Sequence, residues 1–164
     1  LYVDHETESL VSTLKSQNYS ADAMHPYYKD DWNRPAVYKD FGFNSFTAYE
    51  DKPWWDKLRR YVSDECDFKT IEEMYEARDT SKPFFLFNVT MQNHSSYDQT
   101  DSNFQQEITL EDMDGDYPLT EQYLSLIKKT DEAFEDLIDY FSNLEEPTII
   151  LMFGDHQPFI ESSS

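Results

Sequence analysis

Glycine and cysteine are both scarce in this sequence of 164 residues. Only 3 glycines occur, against a usual share of about 7%, so neither a Walker loop nor a dinucleotide-binding glycine pattern can be assembled. The single cysteine, Cys66, excludes an internal disulfide and a CxxC metal knuckle. No apolar run reaches the roughly 18 residues expected of a membrane-spanning helix. These absences exclude glycine-loop nucleotide sites, cysteine-based zinc knuckles and a membrane-spanning helix within these residues.

Positive charge is also limited, because 13 Lys and Arg stand against 34 Asp and Glu, for a formal net charge of -21. Such an acidic chain is a poor partner for nucleic acid, whose phosphates need clustered cations. The 12 Tyr, 12 Phe and 3 Trp nevertheless supply enough apolar surface for a packed core, which argues against a disordered acidic chain. The length fits one domain.

Apolar periodicity predicts helices that alternate with short apolar strands. The predicted helices cover residues 6–18, 67–80 and 120–144, and the predicted strands cover residues 19–24, 84–91 and 148–153. Pro35 and Gly42 suit the start and the end of a further short helix, and Thr120 suits an N-cap. Residues 95–118 are polar and predict a long loop. The alternation indicates an α/β fold with a mainly parallel sheet flanked by helices, whose apolar strands 84–91 and 148–153 are buried on both faces.

Three of the four histidines follow the ends of predicted strands: His25, His94 and His156. Because ligands of open α/β sheets bind at the carboxyl ends of the strands, these side chains could converge with Asp155 in one site. Imidazole and carboxylate together suit Zn²⁺, Mn²⁺ or a similar divalent ion. The alternative is that each histidine is a loop residue with local hydrogen bonds. We interpret His5 in this way.

The segment around His156 carries a resemblance to a known superfamily. A helix containing Thr-Asp-Glu-Ala (130–133), a strand that begins Thr-Ile (148–149) and the sequence Gly-Asp-His (154–156) resemble the sulfatase and alkaline-phosphatase-like superfamily. The resemblance implies that fold for residues 1–164.

Two further segments narrow the resemblance to lipoteichoic acid synthases and related phosphoglycerol transferases. Asn88-Val-Thr-Met-Gln-Asn-His94 resembles their Asn-His segment. Asp31-Trp-Asn-Arg34, with Tyr38 and Phe41-Gly-Phe43 after it, resembles their Trp-Asn-Arg stretch. The matching motifs occur in the same order and cover nearly the whole chain.

The resemblance implies roles for six side chains. Asp155 and His156 would bind a divalent metal, Mn²⁺ or Mg²⁺ rather than Zn²⁺ or Ca²⁺. Trp32, Arg34 and His94 would contact glycerol phosphate, with His25 near the same site. The chemistry agrees, since the guanidinium of Arg34 matches a phosphate and an indole can cover a glycerol face. The alternatives are a core aromatic for Trp32 and a surface ion pair for Arg34.

The nucleophile is not found among these residues. The resemblance implies attack on a phosphodiester by a metal-activated threonine hydroxyl that lies before the Trp-Asn-Arg stretch, where residues 1–24 are too few to hold it. We therefore expect residues 1–164 to be the C-terminal part of a single sulfatase-like catalytic domain, truncated on its N-terminal side. The isolated chain is expected to bind metal weakly and to be inactive.

The resemblance therefore implies a phosphoglycerol transferase that acts on anionic lipid headgroups at the extracytoplasmic face of the membrane, with membrane attachment expected through segments absent from this chain. One alternative is a sulfatase or phosphoethanolamine transferase of the same superfamily, although Cys66 does not lie in the C-x-P-S-R motif of sulfatases. The other is a non-catalytic domain that binds envelope components.

Overall fold

A computed structural model describes residues 5–98 and 101–160 of the chain. Helices and strands alternate along these residues except between the second and third helices, where three short strands that the sequence analysis does not predict follow one another. The helices are α1 (Leu10–Ser16), α2 (Arg34–Phe41), α3 (Asp64–Glu76) and α4 (Pro118–Ser142), and the strands are β1 (Ser20–His25), β2 (Ser45–Ala48), β3 (Lys57–Leu58), β4 (Tyr61–Val62) and β5 (Phe84–Asn88). Two single turns of 3-10 helix, Asp31–Asn33 and Tyr49–Asp51, precede α2 and follow β2.

A three-stranded parallel sheet in the order β2-β1-β5 forms the centre. The register pairs Asp22 of β1 with Ser45 on one side and with Leu86 on the other. The strands are parallel, so the carboxyl ends of β1 and β5 lie at the same edge. The expected parallel sheet with flanking helices is confirmed, and β3 and β4 add a separate antiparallel hairpin.

The core forms around β1, whose buried residues have small or apolar side chains. Ala21, Ala23 and Met24 are fully buried, and Met24 packs against Trp55 and Val62 from the hairpin region. On the helical side, α3 and α4 pack through a second apolar cluster of Phe68, Ala133 and Leu137.

Helix boundaries differ from the predictions where local capping decides them. Helix α3 begins at Asp64 rather than Asp67, because the Ser63 side chain accepts a hydrogen bond from the backbone N–H of Cys66. Helix α4 begins at Pro118, with Tyr117 at the N-cap, so the predicted N-cap at Thr120 is wrong. Proline has a φ angle suited to the first helical turn. Gly42 ends α2 with φ 91°, as predicted.

The predicted strand 148–153 is wrong: the residues are neither helical nor extended in a sheet. Ile149 is 96% and Leu151 is 80% exposed. An apolar run becomes a buried strand only where a neighbouring strand offers its N–H and C=O groups, and none of the described strands pairs with it. The strand predicted over 84–91 ends at Asn88 and is half-buried, because β5 has a described neighbour on one side only.

The predicted loop 95–118 is confirmed for its described residues, which contain neither a helix nor a strand before α4. The Ser125 hydroxyl on α4 accepts hydrogen bonds from the backbone N–H groups of Glu107 and Ile108, which holds the loop against the helix. Within residues 5–98 and 101–160, no helix has the length and apolar character needed to cross a membrane.

Candidate functional site

His25 ends β1 and is 1% exposed. Its Nδ1 lies 2.7 Å from the carbonyl oxygen of Val89, and since a carbonyl can only accept, Nδ1 carries the proton. The other ring nitrogen, Nε2, is buried and has no hydrogen-bond partner among the described residues. The pKa of His25 is lowered from 6.5 to about 4, mainly by burial, with the charge of Arg34 acting in the same direction. His25 is therefore a neutral ring at pH 7 with an unused acceptor nitrogen.

Trp32 lies against His25, with ring centroids 5.8 Å apart and an edge-on orientation. The turn Asp31–Asn33 holds it there, and both Trp32 and Asn33 have left-handed backbone angles, with φ 56° and 54°. Such angles are unfavourable for residues other than glycine and cluster at functional sites. The indole is 60% exposed, which contradicts the alternative of a core aromatic.

Arg34 begins α2 beside the indole. Its guanidinium carbon is 5.0 Å from the Trp32 ring centroid, and Nη1 donates a hydrogen bond of 2.6 Å to the Tyr38 hydroxyl. No carboxylate of the described residues forms an ion pair with Arg34, so the alternative of a surface ion pair is wrong within them. In a chain of net charge -21, this leaves a cation beside an exposed aromatic face.

His94 lies in the turn that follows β5 and is exposed. Its Nδ1 lies 3.0 Å from the carbonyl oxygen of Ser95 and 3.3 Å from the Tyr61 hydroxyl. The Ser95 carbonyl can only accept, so Nδ1 is again the protonated nitrogen, and Nε2 is the atom available to a ligand.

Two tyrosines connect these residues, and sequence reasoning missed both. The Tyr27 ring centroid is 6.1 Å from that of His25, 5.8 Å from that of Trp32 and 6.0 Å from that of Tyr61. The Tyr61 ring in turn contacts His94 at 5.6 Å. The only sequence signal for Tyr27 is its place just after the end of β1, while nothing nearby in sequence connects Tyr61 to His94.

The rings and Arg34 therefore form one surface, the ring surface, at the carboxyl ends of β1 and β5. Its members are His25, Tyr27, Trp32, Arg34, Tyr61 and His94. It offers a planar cation, the exposed imidazole of His94 and aromatic faces, while the His25 imidazole is buried. This chemistry suits a small anion that carries carbon atoms and hydroxyl groups.

Asp155 and His156 lie elsewhere. Their side chains are 75% and 69% exposed, and His156 Nε2 is 3.7 Å from Asp155 Oδ2. No hydrogen bond, ion pair or ring contact between described residues joins either one to His25 or His94. The predicted convergence of three histidines is thus limited to His25 and His94, since the strand expected to deliver His156 to the sheet edge does not form.

The donor chemistry of Asp155 and His156 suits a divalent metal, but two donors are too few for a site. Residues 5–98 and 101–160 contain no group of three or more His, Cys, Asp or Glu side chains that could hold an ion. The described residues therefore do not form a complete metal centre.

Comparison with known proteins gives a consistent family. The family model described as Sulfatase matches residues 2–163. The chain is 33% identical over 162 residues to a Rhizobium meliloti (strain 1021) protein named for cyclic β-1,2-glucan modification, and 31% identical over 166 residues to the lipoteichoic acid synthase of Staphylococcus aureus (strain USA300). These matches cover 96% and 97% of this chain. The chain spans 24% of the length of each relative.

The fold is shared with solved structures of the alkaline phosphatase superfamily. The Streptococcus pyogenes phosphoglycerol transferase GacH in complex with sn-glycerol-1-phosphate superposes with a TM-score of 0.77 at 21% identity, over 96% of this chain and 41% of that one. The expected alkaline-phosphatase-like fold is confirmed.

Proposed function

The chain belongs to the sulfatase family, and from this membership we propose that it forms the phosphoglycerol-binding part of a phosphoglycerol transferase of the lipoteichoic acid synthase type. The observation that carries the proposal is the ring surface, in which Arg34, Trp32, His25 and His94 lie together at one edge of the sheet. The relatives' names support this assignment, as does the bound sn-glycerol-1-phosphate of the GacH structure.

Each side chain of the ring surface has a distinct role in the proposal. Arg34 binds two phosphoryl oxygens with its planar guanidinium. His94 contacts the remaining oxygen through its exposed imidazole. The Trp32 indole covers the carbon atoms of glycerol. His25 stays neutral and buried, and its ring packs edge-on against the Trp32 indole and helps to position it.

The proposed metal ligands are Asp155 and His156, with Mn²⁺ or Mg²⁺ as the ion. Divalent-metal dependence is general in the superfamily, and a bound ion supplies Lewis-acid polarisation of a phosphoryl oxygen. The two donors described here contribute an oxygen and a nitrogen, and the other ligands come from outside the described residues.

The proposed reaction transfers the phosphoglycerol group of an anionic lipid headgroup. The bond from phosphorus to the lipid oxygen breaks, a bond to a threonine oxygen forms, and an acceptor hydroxyl then displaces the threonine. We place that threonine outside this chain, in the same catalytic domain, on the extracytoplasmic face of the membrane. The similarity to the Rhizobium meliloti protein makes a cyclic β-1,2-glucan a second candidate acceptor beside a glycerol phosphate polymer.

A sulfatase reaction gains no support from Cys66. It lies in the first turn of α3 within Asp-Glu-Cys-Asp-Phe, not in the C-x-P-S-R motif of sulfatases.

The test is calorimetric titration of the full-length protein with sn-glycerol-1-phosphate. We expect Arg34→Gln to weaken binding about tenfold or more, because a charge-assisted hydrogen bond contributes about 1.5–3 kcal/mol. Arg78→Gln is the matched control, since it removes the same charge from a guanidinium that pairs with Glu146 and stacks on Tyr75. Equal affinities of Arg34→Gln and the wild type would contradict the proposal. Turnover of a sulfate ester in place of a phosphodiester would favour the sulfatase alternative.

A further inference from the structure

Arg59 occupies an unusual position for an arginine. It lies in the two-residue turn between β3 and β4, is 4% exposed and has a left-handed backbone with φ 54°. No carboxylate of the described residues is within ion-pair distance of it. A buried cation and an unfavourable backbone angle are both costly, and such features persist where the surrounding structure requires them.

The Arg59 guanidinium satisfies three backbone carbonyls of one short segment. Nη1 donates a hydrogen bond of 2.6 Å to Ser96, while Nη2 donates to Gln92 at 3.1 Å and to His94 at 3.0 Å. The Tyr97 ring lies 5.8 Å from the guanidinium carbon on another side. Side chains of this turn contact α3 and α4, but none of the described strands pairs with its backbone, so Arg59 supplies its carbonyls with the donors that a sheet would otherwise provide.

The same hairpin also contacts the His94 imidazole. Tyr61, the first residue of β4, places its hydroxyl 3.3 Å from His94 Nδ1 and donates to the Ser95 carbonyl at 3.1 Å. Arg59 thus fixes the backbone of the turn 92–96, and Tyr61 fixes the side chain of His94. Together they determine where His94 Nε2 points.

We propose that Arg59 is a positioning residue that holds the turn 92–96 so that His94 faces the phosphate of the bound ligand. This inference rests on the proposed function for the identity of the ligand. It also explains the choice of arginine: two nitrogens of a rigid planar fork reach three carbonyls at once, which the single ammonium of lysine on a flexible stem cannot reproduce.

The experiment combines Arg59→Lys with His94→Gln in a double-mutant cycle, with affinity of the full-length protein for sn-glycerol-1-phosphate as the readout. We expect Arg59→Lys to weaken binding on the order of fivefold in the wild type and to have little effect in the His94→Gln background, because coupled residues are non-additive. Arg60→Lys is the matched control. Arg60 is the exposed neighbour in the same turn, and its guanidinium lies over the Tyr61 ring. An equal loss in both backgrounds, or no loss in either, would overturn the proposal.

Hydrogen exchange separates this inference from the proposed function. In Arg59→Lys we expect faster amide exchange confined to residues 92–97, with no such change in Arg60→Lys. If the wild type does not bind sn-glycerol-1-phosphate, the proposed function fails, and unchanged exchange in 92–97 would overturn the positioning role by itself. Should Arg59→Lys fold poorly, Tyr61→Phe provides the second variant, since it removes only the hydroxyl that contacts His94 and Ser95. We expect Tyr61→Phe to weaken binding as well, and this loss of affinity should be absent in the His94→Gln background.

Discussion

The Thr130 hydroxyl donates a hydrogen bond of 2.6 Å to the Asp64 carboxylate, and both side chains are buried. The same oxygen accepts hydrogen bonds from Gln92 Nε2 at 3.1 Å and from Asn93 Nδ2 at 2.7 Å. One hydroxyl therefore connects the start of α3, the middle of α4 and the turn that carries His94. The threonine of the Thr-Asp-Glu-Ala segment thus has a structural role that its position in a sequence motif does not reveal.

Removing this hydroxyl should destabilise the protein. Thr130→Val keeps the shape of the side chain but leaves the Asp64 carboxylate without its donor and the Asn93 amide without its acceptor, while Gln92 Nε2 keeps only the Leu126 carbonyl. We expect the free energy of unfolding in urea at pH 7 to fall by about 1–3 kcal/mol, the usual cost of unsatisfied buried polar groups. Thr148→Val is the matched control, because Thr148 is exposed and should change stability by no more than about 0.5 kcal/mol. Similar losses in the two variants would contradict this explanation.

Stability between pH 4 and 6 depends on buried groups that act in opposite directions: His25 in one direction, and Asp64 and Asp67 in the other, since burial also raises the pKa of Asp67 well above its usual value. Burial raises the pKa of Asp64 from 3.8 to about 6, so its contribution is present below pH 4 and is lost as the pH rises through 6. Burial lowers the pKa of His25 from 6.5 to about 4, so its contribution is present above pH 6.5 and is lost as the pH falls through 4.

Asp64→Asn should therefore change the pH profile in a defined direction. The variant loses the Asp64 part of the contribution that falls with rising pH but keeps the contributions of His25 and Asp67. Relative to the wild type, its free energy of unfolding should rise more steeply between pH 4 and 6. Urea unfolding at several pH values measures this slope. His25→Gln is the complementary control and should shift the slope the other way, whereas a shift of the same sign in both variants would rule out the assignment.

Local patterns in the sequence were sufficient to predict helices α4 and α2. Helix α4 follows from its apolar stripe, and Gly42 and Pro35 bound α2 as their backbone preferences require. The resemblance also pointed to Trp32, Arg34, His25 and His94, which the structure places in one surface. Their roles there remain predictions.

The contacts that hold the site could not be read in the same way, because they connect distant positions. Arg59 reaches carbonyls 33 to 37 residues further along the chain, and no periodicity relates a hairpin turn to them. The segment 148–153 failed for a related reason. An apolar run indicates that a segment prefers burial. Whether the segment pairs into a sheet depends on a neighbouring strand, which the run does not specify.

The exposure of residues 148–153 can be tested directly by mutation. If residues 148–153 formed a buried strand, Leu151→Ala would cost about 2–5 kcal/mol, as large-to-small changes do in cores. Because the Leu151 side chain is largely exposed, we expect the free energy of unfolding of this chain to change by less than about 0.5 kcal/mol. Leu137→Ala is the matched control: Leu137 is buried in the α3–α4 cluster, so the same substitution should incur the full core cost. A loss for Leu151→Ala as large as that for Leu137→Ala would show that the segment packs in solution.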